Sequence, residues 1–343
     1  VATIRDVAER AGVSPITVSR VINDSGYVSD ETRREVEAAI EELNYVPNIL
    51  ARSLRSKRTH TLALVITDVT NPFWTTIARG VEDKAVENGF SVILCNTDED
   101  PEKEQSYLEV LLQKRVDGVI IAPVTSHGAN LHSLSRLGVP YVVIDRRVEG
   151  MDTDLVTGDS VGGAYELTKH LIELGHRRIG IIAGPEQVST ADDRLAGYLK
   201  ALEEFDIPVD EALIKRGQFN QEAGYELTKK LLELEEWPTA LFAGNNFIAI
   251  GALTALWELE VRVPDEMALV TFDEIPHLSA VYPFLTVAAQ PAYDMGNIAT
   301  ELLLERLDGR REENREVVLP TRLILRQSSG VEVGLDMAMS PSF

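Results

Sequence analysis

Apolar positions recur at helical spacing over the first sixty residues, then settle into a long alternation of apolar strand, loop and amphipathic helix. Thr3 precedes Ile4, Val7, Ala8 and Ala11, and Gly12 closes that segment. Ser14-Pro15 then supplies an N-cap followed by proline at the first helical position. The apolar residues Ile16, Val18, Val21 and Ile22 include the core-facing stripe of this second helix, which leaves Pro15, Ile16, Thr17, Ser19 and Arg20 as candidates for an exposed leading face. Two short helices joined by so tight a turn make a helix-turn-helix unit. A third helix runs from Ser29-Asp30-Glu31 through Val36, Ile40 and Leu43 until Tyr45-Val46-Pro47 breaks it. Asn48 to Arg55 predicts a further short helix, one that needs outside support because isolated helices below ~12–15 residues are marginal in water. Such a segment can switch between ordered and disordered.

From Thr61 onward the strand-like runs are 62–67, 91–95, 118–122, 141–144, 179–183, 240–243, 268–272 and 285–289. Helical patterns lie near 73–88, 101–114, 160–174, 190–205, 221–234, 246–259 and 291–308. Alternation of this kind predicts parallel sheets with helices on both faces. About 280 residues exceed one comfortable core, so two α/β lobes are expected, with a ligand site where the strand carboxyl ends face a crevice.

Charge first argues against a nucleic-acid partner and then locates one. The 343 residues carry 33 Lys+Arg against 55 Asp+Glu, a formal charge of -22, whereas DNA binding draws on basic side chains to neutralise phosphates. Residues 1–60, however, hold nine Lys+Arg and nine Asp+Glu, so the whole acidic excess sits in the remainder. Arg52, Arg55, Lys57 and Arg58 form a local basic run. No apolar stretch approaches the ~18–20 residues of a membrane span, and the first thirty residues are a polar, helix-patterned segment rather than a signal peptide. Together with the single Cys95, which lies in an apolar run and reads as a buried structural thiol, this points to a reducing cytoplasm.

Enzyme signatures are missing. There is no GxxxxGK[ST] loop, no GxSxG elbow and no HExxH, and the six histidines show no metal-ligand spacing, so neither cofactor nor metal is expected. Thr157 to Gly163 reads as a turn and helix start rather than a dinucleotide fingerprint. What the body does carry is polar or aromatic residues just past its strands: Asn71 with Phe73 and Trp74, Asp145-Arg146, Arg194, Phe219, Asn245-Asn246, Asp273 and Gln290. Aromatic faces stack on the C–H side of a sugar ring while carboxylates, guanidiniums and amides pair with its hydroxyls, so the set suits a sugar.

The segments Thr3 to Ala8, Ala11 to Ser14, Thr17 to Asn23 and Tyr45 to Asn48, with Thr271 to Pro276 and Gln290-Pro291 in the body, resemble the lactose-repressor (LacI/GalR) family of transcription regulators over residues 2–328. The resemblance implies a small all-α helix-turn-helix headpiece (1–46), a hinge helix and linker (47–60), and a two-lobed α/β effector and dimerisation domain (61–328) of periplasmic-binding-protein type. Its N-lobe would comprise about 61–158 and 290–320, its C-lobe about 159–289 and 321–328, and 329–343 would be a tail. It further implies a homodimer on a pseudo-palindromic operator, with Pro15, Ile16 and Arg20 reading bases in the major groove. Thr3, Ser14, Thr17, Ser19, Asn23, Asn48 and Arg52 would contact the backbone or cap helices, and Leu54 would wedge into the minor groove. The sugar pattern of the related ribose-binding protein is matched by Asn71, Phe73, Asp145, Arg146, Arg194, Phe219, Asn245, Asp273 and Gln290, which favours ribose or a similar monosaccharide. Trp74 stands where that pattern has phenylalanine, and Asn246 stands where aspartate is usual. Purine-responsive and phosphocarrier-controlled regulators are the alternatives within this class.

Overall fold

The protein is described from a computed structural model, which defines residues 2–46, 58–275, 283–310 and 313–331. It divides into two compact units, Val1–Thr59 and His60–Phe343.

The first unit holds α1 (Ile4–Arg10), α2 (Pro15–Ile22) and α3 (Asp30–Glu42). Each begins on a hydroxyl N-cap: Thr3, Ser14 and Ser29 accept from the backbone N–H groups of Asp6, Thr17 and Thr32, and Thr3 completes a capping box with Asp6. These caps matter because helices this short are held by tertiary packing and end effects, not by propensity. The packing is a small cluster of Val7, Ala8, Val18, Val21, Val36 and Ala39. Ile16 stays out of it, 66% exposed. The helix expected over 48–55, with Asn48, Arg52 and Leu54, lies outside the described residues.

In the second unit the chain forms β1 (Thr61–Ile66), β2 (Ser91–Asn96), β3 (Gly118–Ile121), β4 (Tyr141–Ile144), β5 (Asp154–Gly158), β6 (Ile179–Ala183), β7 (Ile214–Arg216), β8 (Ala240–Ala243), β9 (Ala268–Phe272), β10 (Thr286–Ala289), β11 (Glu316–Leu319) and β12 (Arg322–Ile324). Between them lie α4 (Pro72–Glu87), α5 (Pro101–Lys114), α6 (His132–Leu137), α7 (Ser160–Glu173), α8 (Ser189–Glu204), α9 (Gln221–Leu232), α10 (Asn246–Glu258) and α11 (Ala292–Leu307). Two six-stranded sheets result, in the orders β11-β5-β4-β3-β1-β2 and β12-β10-β9-β8-β6-β7. Among the described residues the pairings are parallel except that of β10 with β12. The central strands β3, β4, β6, β8 and β9 are buried along their whole length, which is why they read as unbroken apolar runs.

The chain passes between the sheets three times: after β5, after β10, and between β11 and β12. At the first passage Asp159 caps α7 by accepting from Gly162 N–H at 2.8 Å. Gly158, beside it, leaves room for the Gln290 side chain of the second passage: a Cβ there would lie 2.0 Å from Gln290 Oε1 and force that side chain to move. Near the far end, Ser328 and Ser329 are buried; Ser329 Oγ meets His170 Nε2 and Thr286 Oγ1, both at 2.9 Å, so the packed body continues to that point. Cys95 is buried, and burial pushes its thiol pKa up.

Candidate functional site: a polar cleft between two sheets

The carboxyl ends of both sheets border one cavity of about 580 Å³. Nine expected residues line it: Asn71, Phe73, Trp74, Asp145, Arg146, Arg194, Phe219, Asn245 and Asp273. Gln290 stands behind the wall and reaches it indirectly, its Nε2 donating to Asp273 Oδ1 at 2.8 Å.

Each side chain is placed by the element it ends or starts. Asn71 caps α4, accepting from Phe73 N–H at 3.0 Å, and so sets Phe73 and Trp74 in the first turn. The two rings meet edge to face with centroids 5.0 Å apart, and both are largely buried. Asn245 caps α10 in the same way through Ile248 N–H at 2.8 Å. Asp145 and Asp273 hold equivalent places: each follows the third strand in its sheet order, and each has φ 68°, a left-handed conformation that aspartate tolerates. The turn aims both carboxylates into the cavity rather than along the strand.

The guanidiniums already have partners. Arg146 is 4% exposed and grips Glu99 through both terminal nitrogens, at 2.7 and 2.6 Å, with a further donation to Pro123 O at 3.2 Å. Arg194 donates to Gly244 O at 2.7 Å, lies 3.7 Å from Asp273 Oδ2, and stacks with Cζ 4.0 Å from the Phe272 ring centre. Around the cavity, the buried polar atoms left without a hydrogen-bond partner among the described residues include Asp145 Oδ1, the Nε of Arg146 and of Arg194, Gln290 Oε1 and Thr67 Oγ1. Buried polar atoms without partners mark the spots a polar ligand can satisfy. Burial pushes the Asp145 carboxyl up to about 6, against the opposing pull of Arg146 and Arg194. Asp273 is also raised by burial, against Arg194 and the Gln290 hydrogen bond.

Two residues play a part that the sequence pattern did not suggest. Asn71 Nδ2 donates to Asn246 Oδ1 at 3.0 Å, and Asn246 Nδ2 returns a bond to Asn71 Oδ1 at 2.9 Å. This reciprocal amide pair spans the cleft, and both members are buried. Asn246 also donates to Glu274 O at 3.3 Å. The amide Asn71 is thus largely committed to the opposite wall. Across the cleft Arg147 and Asp193 form a two-pronged ion pair at 2.7 and 2.5 Å, and Ser126 Oγ donates to Gln187 O at 2.6 Å.

Sequence reading omitted Asp98 and Glu99, which also line the cavity. They follow β2, so the rule that found the other residues covers them, yet they sit beyond Asn96 in a turn with φ 53° and 57°. Thr67, Asp68, Thr70, Thr190, Gln218 and Asn220 complete the lining and flank residues already singled out.

In the first unit Pro15, Ile16 and Arg20 are exposed on one short helix, as a face that reaches bases requires. Thr17 Oγ1 lies 2.9 Å from Ser14 Oγ, and Asn23 Nδ2 donates to Ser19 O at 2.7 Å, so these four polar residues close the two ends of α2. Thr3 is tied to Asp6.

A helix-turn-helix unit and a two-sheet unit with a polar cleft, carried on one chain, define a ligand-responsive DNA-binding regulator. Comparison with known proteins places it more closely. Residues 3–48 match the model for bacterial regulatory proteins of the LacI family, and residues 59–327 match that for periplasmic binding proteins and the sugar binding domain of the LacI family. The chain is 39% identical over 330 residues to the transcriptional regulator DegA of Bacillus subtilis, covering 95% of this chain and 98% of that one. It is 40% identical over 333 residues to the repressor PurR of Haemophilus influenzae (95% and 98%), and 39% identical over 327 residues to the ribose operon repressor of Halalkalibacterium halodurans (95% and 97%). Among solved structures, the lac repressor dimer bound to operator and an anti-inducer superposes with a TM-score of 0.85 at 29% identity, covering 96% of this chain and 99% of that one. A LacI-family regulator from Enterococcus faecium with bound ribose gives 0.71 at 32%, covering 78% and 98%. The chain belongs to the LacI family of DNA-binding transcriptional regulators. No helix among the described residues is long and apolar enough to cross a membrane.

Proposed function

We propose that the protein is a homodimeric repressor of carbohydrate-utilisation genes, controlled by ribose or a similar monosaccharide bound between the two lobes. The observation that carries this is the cavity itself. Three aromatic side chains, Phe73, Trp74 and Phe219, share its wall with the carboxylates of Asp145 and Asp273 and the amide of Asn245. That is the mixture a sugar ring needs, faces for its C–H side and acceptors for its hydroxyls. The likeness to a ribose operon repressor and to a ribose-bound regulator supports a pentose.

In this reading Arg20 donates to guanine while Pro15 and Ile16 make apolar contact with base edges. Thr3, Ser14, Thr17, Ser19, Asn23, Asn48 and Arg52 hold the DNA backbone or the helix ends, and Leu54 opens the operator centre from the minor groove. Effector and operator affinities are then linked reciprocally, typically by ~1–3 kcal/mol. Likeness to PurR favours a purine as the second reading.

A thermal-shift screen of monosaccharides and purine bases on the full chain tests this. One pentose should raise the melting temperature, and Asp273→Ala and Arg194→Ala should each abolish that rise. A rise with a purine base and with no sugar would replace the sugar reading; an undiminished response in both variants would remove the site assignment.

A further inference from the structure

The charge arrangement of the cleft narrows the ligand further than its size or shape does. Five carboxylates, those of Asp68, Asp98, Glu99, Asp145 and Asp273, face the cavity, and the cationic residues among its described lining are Arg146 and Arg194. Both guanidiniums are engaged. Glu99 occupies the fork of Arg146 through two bonds, and Arg194 lies against Asp273 and the Gly244 carbonyl. Asp98 is paired with Lys103, outside the lining. That leaves Asp68, which accepts from Thr70, without a cationic partner among the described residues, and Asp145 with one long contact, 3.8 Å, to Arg146 Nε. An anionic ligand entering here would meet surplus negative charge, and neither guanidinium has an open fork to receive it.

Glu99 is the pivotal group. Arg146 has the planar fork that binds phosphate oxygens in pairs, and in this chain that fork is filled by a side chain from the loop after β2. The Nε of Arg146, buried and without a hydrogen-bond partner, is left as a single donor beside the free Asp145 Oδ1, 3.8 Å separating Nε from the other carboxylate oxygen. One donor next to one acceptor fits a hydroxyl, which both gives and takes a hydrogen bond.

We infer that the effector is an uncharged polyhydroxy compound, that its phosphate ester is rejected, and that Glu99 enforces this choice by occupying the guanidinium of Arg146. The inference rests on the sugar reading above and deepens it. Glu99 is a specificity residue that acts through Arg146 and, by charge, on the ligand.

The test pairs each monosaccharide with its phosphate ester, beginning with D-ribose and D-ribose 5-phosphate, and measures binding to the full chain by calorimetry and thermal shift. The wild type should bind one free sugar and bind its ester at least ~10-fold more weakly. In Glu99→Gln the ester should gain ~10-fold or more, the free sugar should change far less, and inorganic phosphate should now stabilise the protein where it did not before. Glu99→Ala serves as the second variant if the first does not fold. A wild type that binds an ester as tightly as its parent sugar overturns the inference and leaves the sugar reading standing. If no free sugar binds, the sugar reading fails, and the phosphate arm still decides this one: no gain of phosphate binding in either Glu99 variant removes the gatekeeping role.

Discussion

Asp145 shows how one side chain can be poised by its surroundings. Its carboxyl sits near 6 in the folded protein against an ordinary 3.8, because burial disfavours the charge more than Arg146 and Arg194 restore it. The folded chain therefore holds this proton more tightly than the unfolded chain does. The group adds stability as pH falls from about 6 toward 4, and none above that window. A sugar hydroxyl that donates to Asp145 needs the carboxylate, so effector affinity should drop below pH 6, with a proton released on binding near that pH. Calorimetry in buffers of different ionisation heat reads that proton directly. Asn246 gives a second residue-level test. An aspartate there could accept from Asn71 but could no longer donate to Asn71 Oδ1 or Glu274 O, and a buried charge would face two acceptors. Asn246→Asp should destabilise the ligand-binding domain by ~1–3 kcal/mol in chemical denaturation, with Asn246→Ala costing less if the charge dominates.

At the scale of elements, what the sequence could tell depended on burial. Strands hidden on both faces, such as Ile179–Ala183 and Ala268–Phe272, are continuous apolar runs and were legible. β7, reading Ile-Lys-Arg, and β11, reading Glu-Val-Val-Leu with alternate residues exposed, lie at sheet edges and carry too little apolar signal. β5, though mostly buried, contains only two large apolar residues and ends in the turn before α7, so its sequence carries little strand signal. The site was legible for a related reason: a residue just past a buried strand is visible as soon as the strand is. Glu99 escaped because a left-handed turn separates it from β2. Two predictions belong here. Thr3→Ala removes the hydroxyl half of the α1 cap, leaving Asp6 to accept from the backbone N–H of residue 3, and should cost the headpiece ~1 kcal/mol, a large share for so small a core, read as a lower melting temperature of residues 1–59. Gly158→Ala places a methyl against Gln290 at a passage between the sheets. It should weaken effector binding without touching the cavity wall, because Gln290 holds Asp273.

For the whole molecule, the charge of -22 describes the body and not residues 1–60, where headpiece and hinge together are balanced. Long-range attraction to DNA should be modest, and operator affinity should lean on dimerisation and a few placed contacts. Replacing Arg52 by alanine should reduce the slope of log affinity against log salt by about one per headpiece while leaving sequence preference unchanged; Arg20→Ala should relax that preference by ~1–3 kcal/mol at one base pair. The proposed function couples the two units: a neutral sugar in the cleft should alter the grip on DNA. The most direct measurement is fluorescence anisotropy of an operator selected from random-sequence DNA, titrated with the full chain with and without the sugar found by the screen. The account predicts a shift of ~5–150-fold in operator affinity for the wild type and none for Asp273→Ala. An equal shift in both proteins, or unchanged operator affinity at saturating sugar, would contradict it.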